Sequence, residues 1–223
     1  MLPVLTPLKD TALAPHLGRV HLSDGRTAPA GVTVDALREP AFMAELVRRF
    51  RPDAWSDAPR AAFSFWTQYY FLRLLPPVVV ANLLFGRELP LALAEVAVTI
   101  GDDGLPSAFL VRNPGAELSA DVSAAERFRG LREAHLAPLI AAWSAQTRLS
   151  PRLFWSNVER YLTWLLDGLQ AFEAGQHAEP LRRWLADPEA GAPGRPRPCC
   201  LRDHLPNVPV CGDCPKLRRS RDA

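Results

Sequence analysis

The sequence predicts a mainly α-helical chain with a small β-hairpin, an α+β fold, closed by a short cysteine-rich segment. Three observations predict it. Apolar residues recur at helical spacing through most of the chain from about residue 33 onward. Only between about 91 and 113 does the period change to strand-like alternation around a turn. All four cysteines fall in one stretch near the end, CCLRDHLPNVPVCGDC, from Cys199 to Cys214.

The elements follow in order. Residues 1–32 carry turn signals (Asp24-Gly25, Pro29, Gly31) with little periodicity, and are expected to form a loosely packed N-terminal arm. The helical body is expected over 33–186. Thr33 caps a segment running through Pro40 to Phe50, where Met43, Leu46, Val47 and Phe50 share a helix face. Asp57 caps the next helix, whose stripe is Phe63, Trp66, Tyr70 and Leu74; Pro76-Pro77 is expected to break it before a further piece stops at Gly86. The β-hairpin near 91–113 consists of LALAEVAVTI, the turn sequence GDDGLPS with Asp102 and Asp103, and AFLVRN.

Two long helices come next. Ser123-Ala-Ala-Glu126 is a capping box, and the pattern runs to about Gln146 with a bend at Pro138. Ser150 followed by Pro151 starts the second, with Phe154, Val158, Leu162, Leu165, Leu166, Leu169 and Phe172 on its apolar face and Gly175 at its end. A short helix is expected over 180–185. Residues 187–198 read as a stiff Pro-rich linker, and 199–223 as the cysteine segment with a basic tail.

Composition bounds the function. The 223 residues are 48% hydrophobic and 22% charged, with a net charge of +2, so no global field points to nucleic acid or to a membrane surface. The start MLPVLTPLKD lacks a basic region followed by an apolar run. The most apolar stretch, Tyr69 to Phe85, is interrupted by Arg73 and two prolines and reads as buried core. These features lead us to expect a cytoplasmic chain with reduced thiols, in which a cysteine cluster binds metal more often than it forms disulfides.

Cys211-Gly-Asp-Cys214-Pro215 is a metal-knuckle sequence, and Cys199 and Cys200 complete four thiolates. Such a set serves a structural zinc ion, a [2Fe–2S] or a [4Fe–4S] cluster. Directly adjacent cysteines in an extended chain point to opposite sides, which suits a single ion poorly and a two-iron cluster better; the four-iron cluster stays open on stereochemistry.

The pattern C-C-x10-C-x2-C at the C-terminal end resembles that of the FhuF-like ferric-siderophore reductase family. LSPRLFWSNVERYL, with Trp155 and Asn157, is similar to the family's Trp-x-Asn stretch opening a long helix. The hairpin and helix pair resemble a layout partly shared with aerobactin-type siderophore synthetases, although the features needed for adenylation are absent. The resemblance implies reduction of ferric siderophores in the cytoplasm through a [2Fe–2S] cluster ligated by Cys199, Cys200, Cys211 and Cys214. It also implies a ferric siderophore of the hydroxamate type as substrate and a separate electron donor such as a ferredoxin or flavodoxin. Association with a siderophore importer or with the inner face of the membrane is a further implied partner; nucleic acid is not. The chain has neither G-x-G-x-x-G nor G-x-x-x-x-G-K-[ST], so a built-in nicotinamide or flavin site is unsupported.

Other residues have plainer readings. Trp155 and the series Phe63, Phe65, Trp66, Tyr69, Tyr70 and Phe71 are most simply core. Asn157 is expected to support a neighbouring loop, and His204 to be exposed rather than a ligand; His16, His21, His135 and His177 show no ligand spacing. The competing functional reading is a non-enzymatic helical adaptor with a four-cysteine zinc site, and a third is an iron or oxidant sensor. In the cluster reading, Pro198, Pro206, Pro209 and Pro215 offer no N–H to sulfur and so hold the potential down. The nearby Arg197, Arg202, Lys216, Arg218 and Arg219 oppose this, screened over about 8–10 Å. Pro209→Ala is therefore expected to raise the midpoint potential in a redox titration; an unchanged or lower value overturns that account.

Overall fold

The structure, a computed structural model, describes residues 1–23, 31–169, 181, 198–212 and 214–219, the side chains of 218 and 219 excepted. The expected turn at Asp24-Gly25, the helix over 180–185 apart from Leu181, the helix end at Gly175, nearly all of the 187–198 linker and the end of the basic tail lie outside these residues.

The helices are α1 (Ala14–Leu17), α2 (Pro40–Phe50), α3 (Pro59–Phe85), α4 (Ala124–Arg127), α5 (Ala137–Thr147), α6 (Pro151–Gly168) and α7 (Pro215–Arg219). The strands are β1 (Val20–Leu22), β2 (Val32–Thr33), β3 (Arg87–Glu88), β4 (Ala97–Ile100), β5 (Pro106–Val111) and β6 (Ala116–Glu117). The mainly helical α+β class expected from the sequence is the class observed.

The axis of the fold is α3, which is apolar on every face and buries Trp66, Tyr70, Phe71, Leu74 and the run from Leu75 to Ala81. Its length and hydropathy would suffice to cross a membrane, and 67% of its most apolar window is buried inside the molecule. The expected break at Pro76-Pro77 does not occur: both prolines lie inside one continuous 27-residue helix. An interior proline costs about 3 kcal/mol or more. Here the flanking residues are packed on all sides, and each fully buried large apolar side chain returns about 1.5–3 kcal/mol. The helix stops at Gly86, whose φ of 57° is the left-handed cap conformation.

The hairpin β4–β5 forms as expected but is the centre of a larger sheet. Four strands pair in the order β1-β5-β4-β2, with β1 parallel to β5 and the other pairs antiparallel. A second, two-stranded pair joins β3 to β6. The hairpin loop rests on the helices: Trp66 Nε1 donates to the Gly104 carbonyl at 2.8 Å, and Arg49 donates to that of Gly101 at 2.7 Å. Gly104 has φ +75°, and a Cβ there would meet the Leu46 carbonyl oxygen at 2.4 Å, so only glycine permits this approach. Asp103 acts as the turn residue expected, accepting from Leu105 N at 2.9 Å.

The N-terminal stretch is not loosely packed. A 3-10 helix (Pro3–Leu8), α1 and β1 bury Leu2, Leu5, Leu8, Leu13, Leu17 and Val20 in the main core. Its apolar residues are irregularly spaced because short elements, not one periodic helix, carry them. At the helix starts, the Ser123–Glu126 capping box is complete, and Ser150 Oγ accepts from Arg152 N ahead of Pro151. Thr33 stands at the N-cap of a 3-10 helix (Val34–Arg38) ahead of α2 rather than of α2 itself, and α2 and α3 begin after Glu39 and Ala58, without side-chain cap bonds. Ahead of Pro138, which sits in the first turn of α5, the chain forms a π-helical turn over Gly130–Leu136.

That turn presents His135 to the core. Its Nδ1–H donates to the Leu91 carbonyl at 2.7 Å, which leaves Nε2 to accept from the Tyr70 hydroxyl at 2.5 Å. Burial pushes the His135 pKa down to about 4 from 6.5. In the unfolded chain the imidazole gains its proton near 6.5, and in the folded chain only near 4. Stability is therefore complete above pH 6.5 and falls as pH drops towards 4, by about 3 kcal/mol at 1.36 kcal/mol per unit. Urea titrations from pH 7 to 4.5 are expected to show this fall, and His135→Gln is expected to flatten it.

Candidate functional site

The cysteine segment docks on the helical body. Ser64, within α3, donates from Oγ to the Cys200 carbonyl at 2.8 Å, a buried bond across 136 residues. Arg51 Nη2 donates to the Pro206 carbonyl at 2.7 Å while its guanidinium also pairs with Asp53. Leu205 is buried in the main core, and the Arg202 guanidinium lies 4.8 Å from the Phe65 ring centroid. A 3-10 turn, Arg202–His204, bends the chain between the cysteine pairs; Leu201 before it adopts φ +63°.

That docking brings thiols together. Cys200, Cys211 and Cys214 form a buried group, and Cys199 is half-buried at its edge. The Cys200 and Cys211 sulfurs are 3.7 Å apart. Two thiolates about 2.3 Å from one tetrahedral metal sit about 3.8 Å from each other, so this pair has the spacing of two ligands on one metal. Cys214 N donates to the Cys211 carbonyl at 3.0 Å and closes the C-x-x-C turn, and Pro215 opens α7. Cys199 Sγ accepts from Leu201 N at 3.4 Å and contacts Asp203 Oδ1 at 3.4 Å; Asp203 is ion-paired with Lys216. Burial pushes the Cys199 thiol pKa up.

Among the described residues, no three His, Cys, Asp or Glu side chains converge on a point that one ion could occupy. The arrangement thus offers one well-spaced pair with two further thiols close by in sequence.

Other residues singled out by the sequence sort clearly. Trp155 is core, with the Arg132 guanidinium 4.8 Å from its ring centroid. The aromatic series on α3 is core apart from the half-buried Tyr69. His204 is exposed, its Nε2 3.9 Å from Asp203 Oδ1, and it lies outside the thiol group. Asn157 is buried and lines a small cavity together with Ser156, Arg160, Pro198, Cys200, Cys211 and Pro215. Of the four prolines in the segment, Pro198 and Pro215 therefore adjoin the thiols, whereas Pro206 and Pro209 are exposed.

Sequence reasoning missed Ser64 and Arg51. A signal for the first existed: Ser64 is polar and buried within an otherwise apolar stretch, where a hydroxyl needs a partner. Arg51 left none. A wider depression of about 260 Å³ adjoins the segment at the start of α3, between Asp57, Arg60, Leu201 and His204.

Fold and site together define a helical α+β protein that holds a four-thiol segment against its central helix. The chain belongs to the family described as ferric iron reductase FhuF-like transporter, whose profile matches residues 64–207. It is 25% identical over 239 residues to the ferric siderophore reductase of Escherichia coli K12, spanning 95% of this chain and 90% of that protein. Among solved structures it is similar to ATP-bound aerobactin synthetase IucA from a hypervirulent Klebsiella pneumoniae. That likeness has a TM-score of 0.51 and 16% identity, and covers 62% of this chain and 29% of the synthetase. It concerns fold alone, and agrees with the shared layout expected from the sequence.

Ser64→Ala would leave the buried Cys200 carbonyl without its partner, at about 1–3 kcal/mol. Hydrogen exchange followed by mass spectrometry is expected to show roughly tenfold or more loss of protection in peptides covering 199–205. Peptides from the centre of α3 are expected to keep theirs.

Proposed function

We propose that this protein is a cytoplasmic ferric-siderophore reductase whose cysteines Cys199, Cys200, Cys211 and Cys214 hold a [2Fe–2S] cluster. The observation that carries the reading is the buried Cys200–Cys211 pair at 3.7 Å inside the C-C-x10-C-x2-C segment of a FhuF-like chain. The name of the Escherichia coli relative supports the substrate class. When bound, such a cluster supplies a one-electron donor of low potential.

The reaction balances simply. A separate donor protein loses one electron, and Fe(III) in the siderophore complex gains it to become Fe(II). Hydroxamate oxygens hold the larger, softer Fe(II) far less well, so iron leaves and no general acid, base or nucleophile is needed.

The chain's residues supply the rest. Cys200, Cys211 and Cys214 keep the redox site out of water, while half-buried Cys199 faces the surface where a bulky chelate can approach. Ser64 and Arg51 fix the segment on the helical body at the Cys200 and Pro206 carbonyls.

Anaerobically purified protein is expected to be reddish-brown and to contain about two irons and two acid-labile sulfides per chain. Dithionite reduction is expected to yield an EPR signal that Cys200→Ser shifts or abolishes, and the reduced protein to be reoxidised by a ferric hydroxamate. Colourless protein containing zinc and no inorganic sulfide overturns the reading in favour of an adaptor with a structural ion.

A further inference from the structure

We propose that Asn157 is a positioning residue whose side-chain amide donates a hydrogen bond to sulfur at the Cys200–Cys211 side of the metal centre. This donor holds the centre's reduction potential up. The inference rests on the cluster reading above and concerns how this chain tunes it.

Asn157 lies in the second turn of α6, a helix started firmly by Ser150 and Pro151 and packed along α3. Its side chain is 4% exposed, yet its Nδ2 has no hydrogen-bond partner among the described residues. Leaving such a donor unpaired in the interior forfeits its hydration with nothing in return. A buried donor without a protein partner signals a missing ligand, water or ion.

The surroundings restrict what that partner is. Asn157 shares its cavity with Cys200 and Cys211, whose sulfurs are the ones spaced for a common metal. The cavity is small, about 10 Å³, the room needed for a single water-sized atom. Pro198 and Pro215, which also line it, have no N–H to offer. Ser156, the other neutral side-chain donor in the lining, is already engaged, so Asn157 is the neutral side-chain donor there whose amide lacks a partner, with Arg160 as a charged neighbour on the same wall. A sulfur carrying negative charge is a strong acceptor, and its charge grows when the centre is reduced. A donor held there favours the reduced form, which raises the potential.

Two measurements test this. Asn157→Leu keeps the volume and removes the donor. In a redox titration of the anaerobically purified protein, the reduction equilibrium against a reference couple is expected to fall about tenfold, a midpoint lower by 59 mV. In the wild-type chain, asparagine labelled with 15N only at the side-chain amide is expected to give a 15N coupling in pulsed EPR of the reduced centre. An Asn207→Gly background, compatible with the φ of 55° at that position, removes the one other labelled amide in the segment.

Wild-type protein with iron and sulfide, an unchanged Asn157→Leu midpoint and no 15N coupling overturns this inference and leaves the cluster reading standing; it would assign the cavity to a water. Should Asn157→Leu fail to assemble, the wild-type coupling alone decides, its presence supporting the bond and its absence overturning it. Wild-type protein without iron and sulfide overturns both.

Discussion

The structure depends on wrapping α3. A 27-residue helix that is apolar on every face cannot rest at a surface, so each other element is obliged to cover part of it. The N-terminal elements, α2, β5, α6 and the cysteine segment all pack against it. Two of its buried polar side chains, Asn82 and Ser64, tie it to backbone elsewhere in the chain. Asn82 donates to the Arg127 carbonyl at 2.9 Å, and the Arg127 guanidinium returns bonds to the carbonyls of Asn82, Val122 and Ser119. Ser64 does the same for Cys200 at the other end. One end of α3 thus organises the loop leading to α4, and the other organises the thiols.

What could be read in the sequence was whatever chemistry acts within a few residues. The Ser123–Glu126 box, the Ser150-Pro151 start, the Gly86 stop and the turn through Asp103 and Gly104 are complete within one turn of chain, and all are found as expected. The failures are non-local. Pro76-Pro77 looks like a break because the lost hydrogen bonds are local, whereas the packing that outweighs them comes from residues far away in sequence. Residues 1–22 look like an arm because no single period links Leu2, Leu5, Leu13 and Leu17. Their order comes from docking on α3 and from the parallel pairing of β1 with β5, a contact across about ninety residues. The π-helical turn belongs to the same class, since it serves to bring His135 to Tyr70 and Leu91.

The candidate site divides along the same line. The four cysteines are legible because thiols are scarce and their spacing is unusual. Their surroundings are not, because Ser64, Arg51 and Asn157 reach them from separate helices and a loop, between about 40 and 155 residues away. Asn157 drew attention through its neighbour Trp155, but the two have different environments: the tryptophan ring faces the Arg132 guanidinium, and the amide faces the thiol cavity. Residues two apart on a helix point about 200° apart, so a motif of this spacing joins two environments rather than forming one.

Placing the thiols between a rigid apolar helix and a short bent segment has consequences for electron transfer. Burial of Cys200, Cys211 and Cys214 disfavours added negative charge and pulls a potential down; donors and cations near the sulfurs push it up. A tail free in solvent would expose all four sulfurs to the same screened surroundings, and neither effect would have much purchase. Docking on α3 and α6 makes the balance depend on a few groups at contact distance, with one half-buried thiol, Cys199, left at the margin. For the cluster proposed above, the interior side would set how strongly it reduces, and the exposed side would set what can reach it.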